Sequence, residues 1–490
     1  AQKIPDVWSI ARKVADALEP LDHIHEDIVL VQKFLATEVS PDFELIGMLE
    51  KGVVVHHAGI PAEALTLIEW LTESGLVKVM CATTTIAQGL NFPVSSVFLA
   101  TTKFPYGVKM SVRAFWNLAG RAGRIGHDSV GVVGIAAGNN PNEVRKFVSD
   151  ATGALISRLE SLLDELEEVG NLNDLTSIIM QDQWADFRSY IAHLWNEKQN
   201  LDLVISEAEL TLRNTFGFGS LRSKSDASSE NKAEALLDAT RSYVRVLAEH
   251  PENATLADAT GFSPEGARTA LFELKGLENK LTIDDWKPSS LFGENGNSKL
   301  PSLMGIMTRL PQLQRGLEDL KGSGNGQRKL ADITNAWVSG KSLADIANNH
   351  FTGTNLTEKI SKACKAVYRD LANNGAWGLS ALSKIPGAGI NFETISEEDK
   401  RKLNNLPAML YHGVRSEEAV LMRMSAVPRS IAEPAGIAFK KQNDINSVSP
   451  KDVSNYLKSL KPSDWDAFRD SNSKMSGSDY NKVWRKLSGL

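Results

Sequence analysis

Short β-rich runs alternate with helical stretches between Gly52 and Ala137, and this alternation constrains the fold more than any other feature of the sequence. It is typical of a parallel sheet with helices on its faces, because each parallel strand needs a crossover connection to the next. The first crossover helix is predicted over Ala62–Ser74, with Pro61 at its start. Strands are predicted at Val53–His56, Val77–Ala82, Val94–Ala100 and Val130–Ala137. The sequence therefore predicts an α/β lobe that ends near Asn140.

Beyond Asn140 the β-rich runs stop, and the apolar residues recur mostly at helical spacing. One helix is predicted over Glu143–Leu172. Two stretches rich in Ser, Gly and Asn, Ser220–Lys232 and Lys321–Lys329, offer little apolar surface to bury and are predicted as linkers. The predicted fold class is thus an α/β lobe followed by mostly α-helical domains.

Composition excludes several classes of protein. The 490 residues carry a net charge of −6, which gives no global basic surface, although a strand held in an internal channel is compatible with it. Cys81 and Cys364 are the only cysteines, so a disulfide framework is excluded and a reducing, cytoplasmic compartment is predicted. No apolar run is long enough to span a bilayer, and no signal peptide opens the chain.

The chain opens directly on a helical pattern, with apolar residues at helical spacing from Val7 to Leu18. In a βα unit a strand precedes such a helix. We therefore expect that the chain begins just after a strand and is a fragment of a longer protein.

Two arginines stand in the glycine-rich stretch NLAGRAGRIG, residues 117–126. Arg121 and Arg124 lie three residues apart, so on a helical turn they project from one face. Planar guanidinium groups bind phosphate oxygens bidentately, and Gly120 and Gly123 permit a close approach. The pair predicts a site for nucleotide phosphates, whereas a surface loop with two solvated arginines is the alternative if the motif is taken alone.

A threonine run follows the second predicted strand, in ATTTIAQGLNFP, residues 82–93. The hydroxyls and backbone amides of Thr84 and Thr85 suit the phosphate oxygens of a nucleic-acid backbone. Gly89 permits a ligand to approach closely, and Asn91 can hydrogen-bond to a sugar hydroxyl. Taken alone, the run is explained equally well as the N-cap of a short helix.

Two adjacent histidines end the first predicted strand, in VVVHHAGI, residues 53–60. Neighbouring residues of a strand point to opposite faces, and no carboxylate or cysteine stands at ligand spacing, so no metal site is expected. We expect one ring to be buried and the other to lie near a face that binds nucleic acid. Cys81, inside its apolar strand, is expected to be a small core residue.

The three stretches VHHAGI, ATTTIAQGLNFP and NLAGRAGR, in this order and at this spacing, resemble motifs IVa, V and VI of superfamily 2 helicases. The resemblance is to the superkiller-like DExH branch and covers residues 1 to about 150. It implies a second RecA-like motor lobe that uses ATP and Mg²⁺, with Arg121 and Arg124 as catalytic arginine fingers facing the γ-phosphate. It further implies nucleotide contacts at Gly89, Asn91, Asn117 and Gly120, and nucleic-acid contacts at His57, Gly59, Thr84 and Thr85.

The sequence departs from the family pattern in two ways. Asn117 stands where the family usually has Gln, and its shorter side chain reaches less far toward a nucleotide. No Walker loop and no DExH box occurs; GSGNGQRK, residues 322–329, lacks the required spacing and preceding strand. The groups that hold Mg²⁺ are therefore expected on a first RecA-like lobe of the same longer chain, and this chain alone is expected to be inactive.

Two features of the helical remainder also suggest nucleic-acid contacts. Leu256–Leu274 predicts two helices around a turn at Gly261, as in a helix-turn-helix unit or an ordinary αα-hairpin. A long helix is predicted over Thr357–Asn374, and the helix before it has Ser339 or Ser342 as its cap. The long helix carries cations three and four residues apart, which either contact a single strand or form a solvated face. These cations are Lys359, Lys362, Lys365 and Arg369, of which the last three are the predicted strand contacts.

Tyr411–Gly436 predicts two helices around a tight turn at Ala426–Pro428, similar to the helix-hairpin-helix of repair helicases. Backbone amides of such a turn can hold a phosphate, and the element favours DNA over RNA as the ligand. The tail from Lys440 onward has more cations than carboxylates and contains Trp465 and Trp484, which suggests a nucleic-acid or partner contact.

Two functions remain open from the sequence. The first is ATP-dependent translocation on, and unwinding of, single-stranded or partly duplex nucleic acid, as the C-terminal part of a DExH-type helicase. The second is a non-catalytic nucleic-acid- or protein-binding scaffold that retains a helicase lobe, for example a defence-system subunit. The predicted regions are the RecA-like lobe at 1–140, a helical connector at 141–220, a helix-turn-helix or winged-helix region at 221–300, a helical bundle at 301–400, and the helix-hairpin-helix with its tail at 401–490.

Overall fold

The computed structural model describes residues 3–83, 94–103, 110–120, 122, 131–149, 179–181, 184–223, 227–293, 297–321, 326–445 and 447–490. This part of the chain is mostly helical and contains small parallel sheets. None of its helices is both long enough and apolar enough to cross a membrane.

Four short strands form two parallel pairs. The strands are β1 (Val53–His56), β2 (Val79–Ala82), β3 (Ser96–Leu99) and β4 (Val132–Ile135). β1 pairs with β2 and β3 with β4, so that Val53 lies opposite Val79 and Ser96 opposite Val132. Every residue of β1 is buried, as expected for a parallel strand covered on both faces. All four predicted strands are confirmed, although the last three are shorter than predicted.

The helices of the α/β region cover these strands. Trp8, Phe34 and Leu67 are buried residues of its three longest helices and pack in the core with β1. The predicted first helix and crossover helix are confirmed as α1 and α4, whereas the predicted helix Glu143–Leu172 falls largely outside the described residues. The helices are α1 (Ile4–Ala17), α2 (Glu26–Glu38), α3 (Leu45–Leu49), α4 (Ala62–Glu73), α5 (Val112–Ala119) and α6 (Pro141–Ser149).

The chain groups into two compact units, each built from more than one stretch. Unit 1 comprises Ala1–Gly153, Asp332–Asn373 and Ala408–Leu490, and unit 2 comprises Ala154–Ala331 and Asn374–Pro407. The chain therefore passes repeatedly from one unit to the other. This grouping does not test the predicted division into five consecutive regions, which remains a prediction.

Helices make up the middle of the chain, where Leu236, Leu237 and Val244 lie at the centre of a buried apolar cluster. The first predicted linker, Ser220–Lys232, is wrong over its described residues, because α10 begins at Ala227 and buries Ser229 and Lys232 at its start. The helices are α7 (Ala185–Lys198), α8 (Leu201–Arg213), α9 (Phe216–Ser223), α10 (Ala227–Glu249), α11 (Pro251–Thr260), α12 (Pro264–Lys275), α13 (Pro288–Leu291), α14 (Leu300–Met307) and α15 (Pro311–Lys321), with a 3₁₀ turn at Ile283–Trp286.

The last third of the chain is also helical. Its helices are α16 (Gly326–Val338), α17 (Leu343–His350), α18 (Leu356–Cys364), a π-helix (Lys365–Gly375), α19 (Ala376–Ser383), α20 (Glu397–His412), α21 (Glu417–Met424), α22 (Arg429–Lys440), α23 (Pro450–Ser459), α24 (Pro462–Phe468) and α25 (Gly477–Leu487). Ser342, not Ser339, caps α17. The predicted long helix is confirmed in position, but it widens into the π-helix from Lys365 onward. The second predicted linker, Lys321–Lys329, is helical at both ends, since α15 ends at Lys321 and α16 begins at Gly326.

Both predicted helical hairpins are confirmed. In unit 2, α11 and α12 are joined at Gly261, whose φ is +73°, and Ser263 caps α12 by accepting a hydrogen bond from Gly266. In unit 1, α21 and α22 are joined by a tight turn in which Ala426 has a φ of +65°. The described residues between 221 and 300 include no strand.

Candidate nucleic-acid interface

The loop after β1 is folded inward around His57. The Gly59 N–H donates to His57 Nδ1 (3.0 Å), and the His57 ring packs edge-on against Trp8, with ring centroids 5.7 Å apart. Burial and the nearby His56 lower the pKa of His57 to about 4. The ring is therefore neutral and carries its proton on Nε2, where no group in the described part of the chain accepts it. With 1% of His57 exposed, contact between this ring and a strand requires the loop to move.

His56 is also buried, so both rings of the pair are covered, and the expected position of one ring near a face that binds nucleic acid stays a prediction. His56 Nε2 lies 2.8 Å from Glu69 Oε1 of α4. This carboxylate could not be recognised from ligand spacing, because it lies 13 residues further along the chain, within the crossover helix. A single carboxylate does not make a metal site, and the described residues contain no group of three or more His, Cys, Asp or Glu side chains placed to hold an ion. Cys81 is a buried residue of β2, as predicted.

Helix α18 lies directly against this loop. Trp8 Nε1 donates to Ser361 Oγ (3.2 Å) in a buried contact that joins residues 353 positions apart. A Cβ placed on Gly59 would stand 3.0 Å from Ser361 Cβ, so the absence of a side chain at Gly59 permits this approach. The structure thus brings together two groups that were predicted separately as nucleic-acid contacts, the loop His57–Gly59 and the cationic helix. Nothing in the sequence pattern identified Ser361 or Trp8 as the residues that join them.

The cations of the helix are exposed or half-buried and lie among local partners. Lys362 Nζ forms an ion pair with Glu358 (2.8 Å) and donates to the Thr352 carbonyl (2.7 Å). The Lys362 hydrogen bond lowers the pKa of Glu358 to about 2, helped by donors from Thr354. Arg369 Nε pairs with Asp370 Oδ1 (2.8 Å), and Lys365 begins the π-helix. The role of Lys362, Lys365 and Arg369 in strand binding stays a prediction.

Most of the residues predicted to contact the nucleotide lie outside the described residues. These are Gly89, Asn91, Arg121 and Arg124, together with the predicted strand contacts Thr84 and Thr85. Asn117, near the C-terminal end of α5, and Gly120, directly after that helix, are described and exposed. Leu118 and Ala119, which lie between them, are buried. The surface position of Asn117 and Gly120 leaves room for a ligand there.

The turn between α21 and α22 has its amides occupied from within the protein. Ser425, Ala426 and Val427 each donate a backbone N–H to a carbonyl of α21. At the start of α22, Ser430 donates through its N–H (3.3 Å) and its hydroxyl to the carboxylate of Glu38 on α2. Glu38 therefore binds donors at the start of α22, next to the turn that was expected to hold a phosphate. The preference for DNA over RNA stays a prediction.

A second carboxylate fixes the same hairpin to the α/β region. Glu63, in the first turn of α4, forms an ion pair with Arg423 of α21, and Arg423 also donates to the Val427 carbonyl (2.7 Å). Burial opposes ionisation of Glu63, but the Arg423 charge and hydrogen bond outweigh it and lower the pKa of Glu63 below its usual value. The first turn of α4 comes shortly after the loop His57–Gly59, so the hairpin is bonded close to that loop.

The tail was predicted to make a nucleic-acid or partner contact, which stays a prediction, but its two tryptophans do not lie on its surface. Trp465 and Trp484 are buried against each other, with ring centroids 5.7 Å apart, and Trp484 Nε1 donates to the Ser425 carbonyl (2.9 Å). The tail packs on the α/β region, where Lys33 pairs with Asp479 (3.0 Å). The aromatic residues of the tail therefore belong to the core of unit 1.

Comparison with protein-family models finds no match to the chain. The Hachiman protein HamB of Bacillus cereus is 32% identical over 142 residues, which are 28% of this chain and 13% of that protein. The antiviral helicase SKI2 of Saccharomyces cerevisiae is 38% identical over 117 residues, 23% of this chain and 9% of that protein. The ATP-dependent DNA helicase Hel308 of Caldivirga maquilingensis is 37% identical over 92 residues, 18% of this chain and 12% of that protein.

Parts of this chain thus resemble helicases, which is consistent with the C-terminal region of a superfamily 2 DExH-like helicase. The predicted resemblance is therefore confirmed. The matched stretches make up only 9–13% of the length of these relatives. The activity of the whole relatives is therefore only proposed for this chain.

Proposed function

We propose that this chain acts as the second motor lobe and the helical strand-binding part of a DExH-type helicase, which couples ATP hydrolysis to translocation on nucleic acid and unwinding. The observation that carries the proposal is the packing of α18 against the loop His57–Gly59 through Trp8 and Ser361. That packing places the cationic helix beside a loop whose sequence resembles a helicase motif. Partly unwound nucleic acid held there would contact both at once.

On the nucleotide side, Arg121 and Arg124 offset charge on the γ-phosphate of ATP, whose Mg²⁺ is held by a first RecA-like lobe. Gly89, Asn91, Asn117 and Gly120 contact the nucleotide. The exposed position of Asn117 and Gly120 at the end of α5 is compatible with this role. When bound, ATP supplies the phosphoryl group that is transferred to water, and the arginines of this chain stabilise the charge that develops.

On the strand side, phosphates replace the local partners of Lys362, Lys365 and Arg369. An exposed ion pair such as Lys362–Glu358 contributes at most about 1 kcal/mol, so exchanging it for a phosphate contact is cheap. His57 has a buried N–H without an acceptor in the described part of the chain, and an unmet buried donor costs about 1–3 kcal/mol. A loop movement that brings this N–H to a backbone phosphate would recover that energy, alongside contacts from Gly59, Thr84 and Thr85.

The test uses the full-length polypeptide encoded by the gene, with ATP turnover measured with and without single-stranded DNA or RNA. Arg121→Ala and Arg124→Ala should each lower strand-stimulated turnover on the order of a thousandfold, since an arginine finger is worth that much in phosphoryl transfer. Strand affinity should stay unchanged. The matched control is Arg145→Ala, which removes an exposed arginine from α6.

Turnover that is unaffected by either arginine variant would overturn the motor assignment. Strand binding by the wild type without any stimulated turnover would instead support the scaffold alternative. Comparing DNA with RNA at several salt concentrations shows which nucleic acid is the ligand, because phosphate contacts make affinity fall steeply with salt.

A further inference from the structure

Helix α12 of unit 2 presents an aromatic residue between two cations on its outer face. Arg268, Phe272 and Lys275 are separated by four and three residues, so they form one stripe along the helix. All three are exposed, and Phe272 is the most exposed large apolar side chain in the described part of the chain, at 78%. A phenyl ring flanked by two cations combines groups that stack on unpaired bases and hold their phosphates, so this stripe is a candidate contact site.

An open groove of about 610 Å³ begins beside Phe272 and follows the C-terminal end of α12. This volume lies within the range of sites for small ligands, which is about 300–1,000 Å³. The lining residues Glu273 and Arg309 hold each other in a two-pronged ion pair, with N–O distances of 3.0 and 2.6 Å. Lys299 lines the opposite side. The groove is thus shaped by fixed polar groups with an aromatic ring at its edge.

The local charge has the opposite sign to that of the whole chain. Residues 268–280 together with the groove residues Lys299 and Arg309 include five cations and two carboxylates, whereas the net charge of the chain is −6. A positive surface with an exposed aromatic suits a single strand, whose unpaired bases stack on the ring while its phosphates meet the cations. In a duplex the bases are already stacked on one another, so the ring would find no free base face. A protein partner is disfavoured because charged residues are depleted at the centre of protein interfaces.

We propose that α12 and its groove form a second single-strand contact, in which one unpaired base stacks on Phe272 between phosphates held by Arg268 and Lys275. This inference rests on the proposed function, because it takes the same class of ligand. It differs from the proposed function because the contact depends on unit 2 alone and needs no nucleotide. The contact adds to strand affinity whether or not ATP is hydrolysed.

The experiment measures the affinity of the full-length protein for a fluorescein-labelled single strand of mixed sequence by anisotropy, without ATP. Phe272→Ala should weaken binding by roughly 5- to 150-fold, the equivalent of losing one stacked base. Phe272→Trp should bind as tightly as the wild type. Arg268→Gln and Lys275→Gln should each reduce the slope of log affinity against log salt by about 0.7, the value for one single-strand phosphate contact.

The matched control is Leu203→Ala, which shortens another exposed apolar side chain of unit 2, on α8, where it is 53% exposed. Its affinity should equal that of the wild type. The proposal is overturned if Phe272→Ala binds the single strand normally, if Leu203→Ala weakens binding as much, or if Phe272→Ala impairs binding of a matched duplex only. Because the binding assay contains no ATP, its result can be interpreted even if the motor assignment fails. Conversely, if Phe272→Ala shows unchanged strand binding and normal strand-stimulated turnover, the contact at Phe272 is refuted and the motor assignment stands.

Discussion

The two helical hairpins of this protein resemble nucleic-acid-binding elements to a similar degree, yet the structure leaves them in opposite states. In α21–α22 the turn amides donate to α21, and Glu38 accepts hydrogen bonds from Ser430 at the start of α22. In α11–α12 the second helix carries an exposed aromatic between two exposed cations. The hairpin α21–α22 is closed, because buried charges fix it to the α/β region. The hairpin α11–α12 is open, because it presents its charges to solvent.

The shape of a motif and its availability to a ligand are therefore separate properties. Local sequence specifies two helices and a tight turn in both hairpins. Distant residues such as Glu38 and Glu63 decide whether the polar groups of the turn are still free to bind a ligand.

The largest expected effect is the loss of the buried charge pair that fixes the closed hairpin. Arg423→Met leaves the Glu63 carboxylate buried without its partner, and we expect the free energy of local unfolding of unit 1 to fall by about 3–5 kcal/mol. Arg309→Met breaks the more exposed pair with Glu273 at the open hairpin, where the loss should be at most about 1 kcal/mol. Amide hydrogen exchange in β1 and in α12 measures the two effects separately. Equal losses would contradict the contrast.

Gly413, between α20 and α21, and Gly261, at the turn between α11 and α12, offer a matched pair of backbone tests. Gly413, with a φ of +67°, has no room for a Cβ because the Trp337 ring fills the space, and Gly261, with a φ of +73°, would place a Cβ 3.5 Å from Trp377. Gly261→Ala should cost about 1–2 kcal/mol from the left-handed conformation alone. Gly413→Ala should cost about 1–3 kcal/mol more, because the ring must also move. Urea unfolding followed by tryptophan fluorescence and hydrogen exchange compares them; a smaller effect at Gly413 would refute the close packing.

Acid should weaken unit 1 through the buried His57 and the half-buried His412. Burial is the main cause that lowers the pKa of His57 and of His412 to about 4, so the unfolded chain binds protons more readily than the folded one between pH 6.5 and 4. The stabilising contribution is present above pH 6.5 and is lost as the pH falls towards 4. From pH 7 to pH 5 we expect a loss of about 2 kcal/mol per histidine.

The measurement is hydrogen exchange of β1 amides at several pH values after correction for intrinsic exchange. His57→Gln and His412→Gln should each flatten the dependence on pH. His193→Gln, which replaces an exposed histidine of unit 2, serves as the control. If the pH dependence of exchange persists in both unit 1 variants, these histidines are not its cause.

The smallest effect on stability is expected at the cationic helix. Lys362→Ala removes an exposed pair with Glu358 and should change the free energy of unfolding by less than about 1 kcal/mol. If Lys362 contacts the strand, the same variant should reduce the salt dependence of single-strand binding by about one phosphate contact. Lys402→Ala, which breaks a comparable exposed pair with Glu398 on α20, is the control. Identical salt slopes for wild type and Lys362→Ala would remove this residue from the interface.

The sequence was most informative where a signal is contained in one local stretch. Apolar runs and crossover spacing located all four strands, and the positions of Gly261 and Ala426 located both hairpin turns. Composition alone was a poorer guide. Ser220–Lys232 reads as a polar linker, but Lys232 and Ser229 begin a long helix whose later turns pack in the core of unit 2.

The candidate site was predictable only in its separate parts. The loop His57–Gly59 and the cationic helix could each be recognised, but the Trp8 to Ser361 contact that joins them spans 353 residues. The Glu38 contact with Ser430 spans 392 residues and carries no pattern of its own. Trp484 shares one face of α25 with Tyr480 and Val483, a helical spacing that indicates a buried face, whereas the excess of cations in the tail favoured a surface contact.

The contact between α2 and α25 of unit 1 has a consequence for how the protein is made. Lys33 on α2 meets Asp479 at the start of α25, 446 residues later. A ribosome adding about 5–20 residues per second needs roughly 20–90 s to deliver that partner after α2 has been synthesised. During this interval the apolar surface of the nascent α/β region lacks the cover that α25 provides, so chaperone binding should concentrate there until α25 has been synthesised.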